Sequence, residues 1–213
     1  MFENLQVFFE STLGQVLTVG VIALLFLLIL IPNKEQKTKR ADTKAVTLSA
    51  LLVALATGLG MLKLFEMPYG GTVTVFSMLP IVLCGYFLGT RRGVMAGTCV
   101  GLLNLIFGPY IIHPIQLLVD YPFAFGALGL SGLCRHQKNG LAKGYALGLF
   151  ARYVCAVVSG IVFFGAYAPE GFNAVTWSLF YNFTYLAAEG VLTIIIISLP
   201  PVKKAFEGLK NQL

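Results

Sequence analysis

The sequence predicts an all-α polytopic membrane protein: a six-helix bundle preceded by one additional amino-terminal transmembrane helix. Three observations lead there. Of the 213 residues 57% are hydrophobic and only 11% charged, and the mean hydropathy is +0.83, an apolar excess too large for one soluble core. Apolar stretches recur from end to end, each close to the ~20 residues a helix needs to cross a hydrocarbon core. The basic residues, finally, gather in alternate connections between those stretches.

The first stretch covers residues 13–32. It follows "MFENLQVFFES", which carries Glu3 and Glu10 but no basic n-region, and no small-residue cleavage site follows it. It therefore reads as a retained helix rather than a removed signal peptide. The linker "NKEQKTKRADTK" separates it from the rest, dividing the chain into 1–43 (helix plus basic cytoplasmic linker) and 44–213 (the six-helix domain). Span 2, residues 45–65, carries Ala50 and Ala54 one turn apart, a small stripe suited either to internal packing or to a partner's helix. Span 3 is the shortest, at 73–89. Span 4, at 93–112, repeats Gly93, Gly97 and Gly101 at every fourth residue, the pattern of close helix contact. Spans 5, 6 and 7 cover 115–134, 144–168 and 174–200 and hold the unusual polar residues. Cys84, Cys99, Cys134 and Cys155 are scattered through apolar sequence without CxxC spacing and read as packing residues.

The net charge of +6 reports topology rather than a nucleic-acid partner. Lys34, Lys37, Lys39, Arg40 and Lys44 fall between spans 1 and 2, and Arg91 and Arg92 between spans 3 and 4. Arg135, Lys138 and Lys143 fall between spans 5 and 6, and Lys203, Lys204 and Lys210 follow span 7. The opposite connections carry Glu66, His113 and Glu170 and no Lys or Arg. The positive-inside rule then places the amino terminus outside and the carboxyl terminus in the cytoplasm of a multi-pass cell-membrane protein.

An ionisable group inside a span costs about 2.5–3.5 kcal/mol at the bilayer centre, so each needs a reason. Asp120, Arg152 and Glu189 are such groups, accompanied by Gln116, Asn182 and Trp177. Helix rise puts Asp120 about 9 Å below the outer surface, Gly160 about 10 Å and Asn182 about 12 Å, so the three share one level. Arg152, Ala156, Gly160 and Phe164 lie along one face of span 6, and a small Gly160 beside an aromatic Phe164 leaves room for a flat ligand. Arg152 and Glu189 sit deeper, at about 22 Å, where they could pair with each other or meet a ligand. His113 falls near the outer interface and reads as a solvated loop residue.

The stretches "MPYGGTVTVFSMLPI" (67–81), "HPIQLLVDYPFAF" (113–125), "ARYVCAVVSGIVFFGAYAP" (151–169) and "WSLFYNFTY" (177–185) resemble, in order, the thiamine-specific S-components of energy-coupling-factor transporters, the ThiT family. The resemblance runs from about Lys44 to the carboxyl terminus. It implies a six-helix subunit that takes thiamine from outside and docks on a transmembrane coupling protein with two cytoplasmic ATPases. It also implies ligand roles for Asp120, Tyr121, Arg152, Gly160, Phe164, Trp177 and Asn182 and a capping loop at Tyr69, Gly70 and Gly71, while the small Ala50–Ala54 stripe is the expected docking surface for the coupling protein. Two positions depart from the family pattern: Ala156 stands where a histidine is expected, and Glu189 where no charge is expected.

Thiamine chemistry agrees with those residue types. A carboxylate meets its charge or amino group, an amide complements the pyrimidine edge, and aromatic faces attract a flat cation. The sequence contains no GxxxxGK[ST] phosphate loop, HExxH zinc motif or GxSxG elbow, and its residues call for no metal or cofactor. Rival readings are a stand-alone proton-coupled transporter using Asp120, an S-component for a thiamine-related pyrimidine precursor, and an intramembrane enzyme. The last is disfavoured because Asp120, His113 and Glu189 lie at different depths and form no acid–base pair.

Overall fold

The computed structural model describes residues 43–213 throughout and, ahead of them, only residues 11–14, 16, 17, 20 and 24. Apart from those few positions, the helix predicted over 13–32, its basic linker and the 1–43 unit lie outside the described residues. The described chain is helical but for one hairpin. In order come α1 (Thr43–Gly60), β1 (Lys63–Glu66), β2 (Thr72–Thr74), α2 (Met78–Leu88), α3 (Thr90–Asn104), α4 (Pro114–Cys134), α5 (Gly140–Phe163), α6 (Ala174–Ser198) and α7 (Pro200–Asn211). Among the described residues, α1, α4, α5 and α6 are long and apolar enough to cross a membrane.

The hairpin shortens two predicted spans. Span 2 stops at Gly60 rather than 65, and span 3 starts at Met78 rather than 73. The alternation in "TVTV" suits a pleated strand, and the Pro68–Gly71 turn lets it fold back on β1. Lys63 pairs with Thr74, Phe65 with Val73 and Glu66 with Thr72, with an irregularity between Lys63 and Phe65. Lys63 thus lies in a connection expected to hold no basic residue, where Glu66 neutralises it at 2.7 Å. Span 4 also ends early, at Asn104, leaving a loop to His113 that covers the site described below.

Two short helices form the centre. α2 has 11 residues and α3 has 15, rises of about 16 and 22 Å. Ile81, Val82 and Cys84 of α2 are almost fully buried, and the core spreads from them to Leu52 of α1, Leu128 of α4, Tyr145 of α5 and Leu186 of α6.

The glycine stripe of α3 does what its spacing predicts. A Cβ at Gly93 would stand 2.6 Å from the Gly85 Cα, one at Gly97 would collide with the Phe125 carbonyl, and one at Gly101 with that of Tyr121. From the other side, a Cβ at Gly129 would strike the backbone of Gly93 and Val94. The α3 and α4 backbones therefore lie in direct contact along the seam, with no side chain between them at these points.

α4 changes winding along its length: α over Pro114–Leu118, π over Val119–Phe123, α over Ala124–Ala127 and 3-10 over Leu128–Cys134. Pro122 has no N–H to give, and the wider π turn accommodates it inside a span. Asp120 and Tyr121 sit on that turn. Past α6, the tail expected to be only a basic end forms the amphipathic helix α7. Phe206 packs towards Phe87, Lys210 lies 4.4 Å over the Tyr86 ring, and Lys203 Nζ donates to Asn139 Oδ1 at 2.6 Å.

Candidate ligand-binding site

Between the hairpin, the loop after α3 and one wall each from α4, α5 and α6 lies a cavity of about 700 Å³. Small-molecule sites span roughly 300–1,000 Å³. Each wall follows from the local fold. The π turn of α4 presents Asp120 and Tyr121, and α5 presents Arg152, Ala156, Gly160 and Phe164 from its every-fourth-residue face. Asn173 caps α6 in a reciprocal pair with Thr176, fixing the start of the helix that brings Trp177 and Asn182 to the cavity. Tyr69, Gly70 and Gly71 close the side facing the hairpin. Every predicted ligand and capping position lines this one cavity. Ala50 and Ala54 do not: they are exposed on the outer face of α1.

Asp120 is held from within its own helix. Gln116, 1% exposed, donates from Nε2 to Asp120 Oδ2 at 2.6 Å and to the Tyr110 carbonyl at 3.1 Å. Its Oε1 accepts from Ile112 N at 3.3 Å, so Gln116 ties the loop after α3 to the carboxylate. The Tyr121 hydroxyl accepts from Tyr110 N at 2.8 Å and fastens the same loop. Tyr110 in turn stacks on Phe164, with centroids 6.0 Å apart and ring planes 28° apart.

The Arg152–Glu189 bridge weighed from the sequence does not form. Arg152 lies 3.9 Å over the Phe125 ring, and its Nη1 is buried without a hydrogen-bond partner among the described residues. Glu189 instead accepts from Thr74 N at 3.0 Å and from Thr74 Oγ1 at 2.7 Å, at the base of the hairpin. His113 does end the loop, but it is half-buried rather than free in solvent. Its Nδ1 accepts from Ile115 N at 3.1 Å, capping α4, and its ring stacks on Phe163 at 5.2 Å.

Gly160 faces both the cavity and the neighbouring helix. It lines the cavity, and a Cβ there would collide with Ser178 Oγ, so it also lets α5 and α6 meet. Asn182 is engaged by the protein: Nδ2 donates to the carbonyls of Ser178 at 2.9 Å and Ala156 at 3.2 Å, and Oδ1 accepts from Tyr185 at 3.0 Å. Trp177 lies beside Tyr181, centroids 5.6 Å apart, in an aromatic row that continues to Phe172 and Phe180.

Sequence reasoning passed over Ser178, Tyr181 and Tyr185, which also line the cavity. The signal was present: Ser178, Asn182, Tyr185 and Glu189 fall at i, i+4, i+7 and i+11, a polar stripe along an otherwise apolar helix. Tyr181 has a defined task. Its hydroxyl accepts from Gly71 N at 2.9 Å and donates to the Pro68 carbonyl, pinning the tip of the hairpin to α6. That tip is tightly fitted. Tyr69 adopts a left-handed backbone (φ 66°), its ring 5.0 Å from that of Tyr167, and a Cβ at Gly70 (φ 94°) would lie 2.9 Å from Tyr110 Cβ. Among the described residues no group of three or more His, Cys, Asp and Glu side chains could hold a metal ion. A carboxylate on one wall, Arg152 and aromatic faces on the others and a lid of backbone and tyrosine suit a small, flat, polar molecule.

Residues 46–207 match the family described as Thiamine transporter protein (Thia_YuaJ). The chain is 31% identical over 181 residues to the thiamine transporter ThiT of Bacillus subtilis, covering 78% of this chain and 92% of that one. It is 33% identical over 139 residues to ThiT of Lacticaseibacillus paracasei, covering 57% of this chain and 69% of that one. A solved structure of ThiT from Listeria monocytogenes superposes with a TM-score of 0.62 at 24% identity, over 76% of this chain and 96% of that one, which shows a shared fold.

Proposed function

The chain belongs to the thiamine transporter protein family, and from that premise we propose that it is the thiamine-binding S-component of an energy-coupling-factor importer. The family is one of transporters, and the chain is a multi-pass membrane protein. The observation that carries the finer reading is the convergence of Asp120, Tyr121, Arg152, Phe164, Trp177 and Asn182 on one cavity under the Tyr69–Gly71 loop. In this reading Asp120 takes the positive charge or the amino group of thiamine, Phe164 and Trp177 flank its rings, and Asn182, whose Nδ2 hydrogens go to the Ser178 and Ala156 carbonyls, accepts from the pyrimidine edge through Oδ1. Ligand enters from the outer side, where the hairpin lies, with the carboxyl terminus in the cytoplasm. Transport energy comes from a transmembrane coupling protein and two ATPases. The exposed Ala50–Ala54 stripe, extended by Gly58, whose missing side chain would meet nothing within 4 Å, supports docking of that coupling protein on α1.

Calorimetry on the purified chain, followed by uptake into vesicles, tests the proposal. The isolated chain should bind thiamine, and uptake should require the coupling module and ATP. Uptake by the chain alone under a proton gradient would overturn the assignment. Tighter binding of a bare aminopyrimidine than of thiamine would overturn the ligand, and Ala156, on the cavity wall where the family pattern has histidine, makes that comparison necessary.

A further inference from the structure

Glu189 is 3% exposed and lies on α6 with every hydrogen-bond partner of its carboxylate where the hairpin joins α2. Thr74 Oγ1 is 2.7 Å from Glu189 Oε2 and 2.6 Å from Ser77 Oγ, so Thr74 gives its hydrogen to the carboxylate and accepts the one from Ser77. Thr74 N donates to the same Oε2 at 3.0 Å, and Met78 N, in the first turn of α2, reaches Oε1 at 3.4 Å. Ser77 occupies the cap position of α2 but makes no side-chain cap bond, so a carboxylate from another helix takes that place. A negative group there is favoured by the α2 dipole and by the unpaired first-turn N–H groups.

Eight residues earlier on α6, about 12 Å along its axis, Tyr181 holds the other end of the hairpin through Gly71 N and the Pro68 carbonyl. One helix thus grips the hairpin at base and tip, and the Tyr69–Gly71 lid over the cavity is carried at the tip, beyond the base that Glu189 holds. We propose that Glu189 is a positioning residue for ligand retention: by fixing the hairpin base to α6 it keeps the Tyr69–Gly71 lid closed over bound ligand. This rests on the thiamine site proposed above. Loss of the clamp frees the hairpin to open, so ligand escapes faster, and because capture also begins from the open lid, association is not slowed.

The test is Glu189→Gln, which keeps the shape but turns an amide donor towards the donors at Thr74. Thr74→Val is the milder companion, removing one contact and keeping the backbone N–H. Hydrogen exchange of amides 67–78 is read in the ligand-free protein, and thiamine association and dissociation by stopped flow on the Trp177 fluorescence. Glu189→Gln should speed exchange at Thr74 and thiamine dissociation by about tenfold each, with association equal to or faster than that of the wild type. Thr74→Val should move both in the same direction by about threefold, and it carries the test if the Gln variant does not fold. Unchanged hairpin exchange with weakened binding would overturn the proposal, making Glu189 a direct ligand contact. Faster exchange with unchanged dissociation would also overturn it, leaving a structural cap. A wild-type chain that fails to bind thiamine, yet whose hairpin exchange depends on Glu189, would sink the functional assignment and leave the clamp standing.

Discussion

Asp120 stays in the membrane because the π turn aims it into a cavity and Gln116 donates to it at 2.6 Å. Asp120→Asn keeps an oxygen to accept that bond, so the variant should fold and insert. In the proposed site it loses the charge that would meet a cation, a loss of about 1.5–3 kcal/mol, or roughly tenfold to a hundredfold in affinity. Calorimetry with thiamine checks this, and undiminished affinity would remove Asp120 from the site. The charged and amide residues of the cavity were legible in the sequence because such groups are costly in lipid and stand out. Tyr181 and Tyr185 did not stand out, since a tyrosine in an apolar helix is ordinary packing until its hydroxyl is seen to find a partner. The true partner of Glu189 was illegible for a related reason. Depth along a helix follows from residue spacing, but which of two equally deep groups a side chain turns towards depends on helix rotation, which the depth estimate leaves out.

At the level of the elements, the glycine seam makes a sharp forecast. Gly97→Val must push against the backbone at Phe125, which cannot rotate away as a side chain can, so destabilisation should reach or exceed the ~1–3 kcal/mol typical of overpacking. Gly58→Ala on the open face of α1 meets nothing and should hold or slightly raise stability, by up to about 1 kcal/mol. Thermal unfolding in detergent distinguishes the two, and equal melting temperatures would mean that α3 and α4 do not touch along this line. Periodicity revealed the seam. It did not reveal the hairpin, because Val73, Val75 and Phe76 raise hydropathy as well as any span does, and a hydropathy window cannot separate alternation from a helix end. Nor did it reveal α7, where Pro200 and Pro201 ended the apolar run but also supply the residue that best starts a new helix.

Among the described residues, cavity, lid and seam are built from residues 43–213, and the candidate docking stripe lies on the opposite face of α1 from the core. Binding and transport should therefore separate. Ala54→Trp should leave thiamine binding to the isolated chain intact and abolish ATP-driven uptake by the assembled complex; surviving uptake would mean the stripe faces lipid. Removing residues 1–40 should leave binding unchanged by calorimetry, and loss of binding in a monodisperse truncated protein would place the amino-terminal segment in the site. The short central helices carry a further consequence, and it concerns biogenesis. α2 and α3 are joined through the single residue Gly89 (φ 93°), and neither matches the thickness of a bilayer. α3 also starts with Arg91 and Arg92 and shows a row of bare glycine backbone to its surroundings. Alone in lipid it would be a poor solute, and against α4 it is a good one. The ribosome thus delivers the centre of this protein before the helix that makes it soluble in the membrane. Residues 78–104 should therefore integrate stably only once α4 has emerged to pack against them.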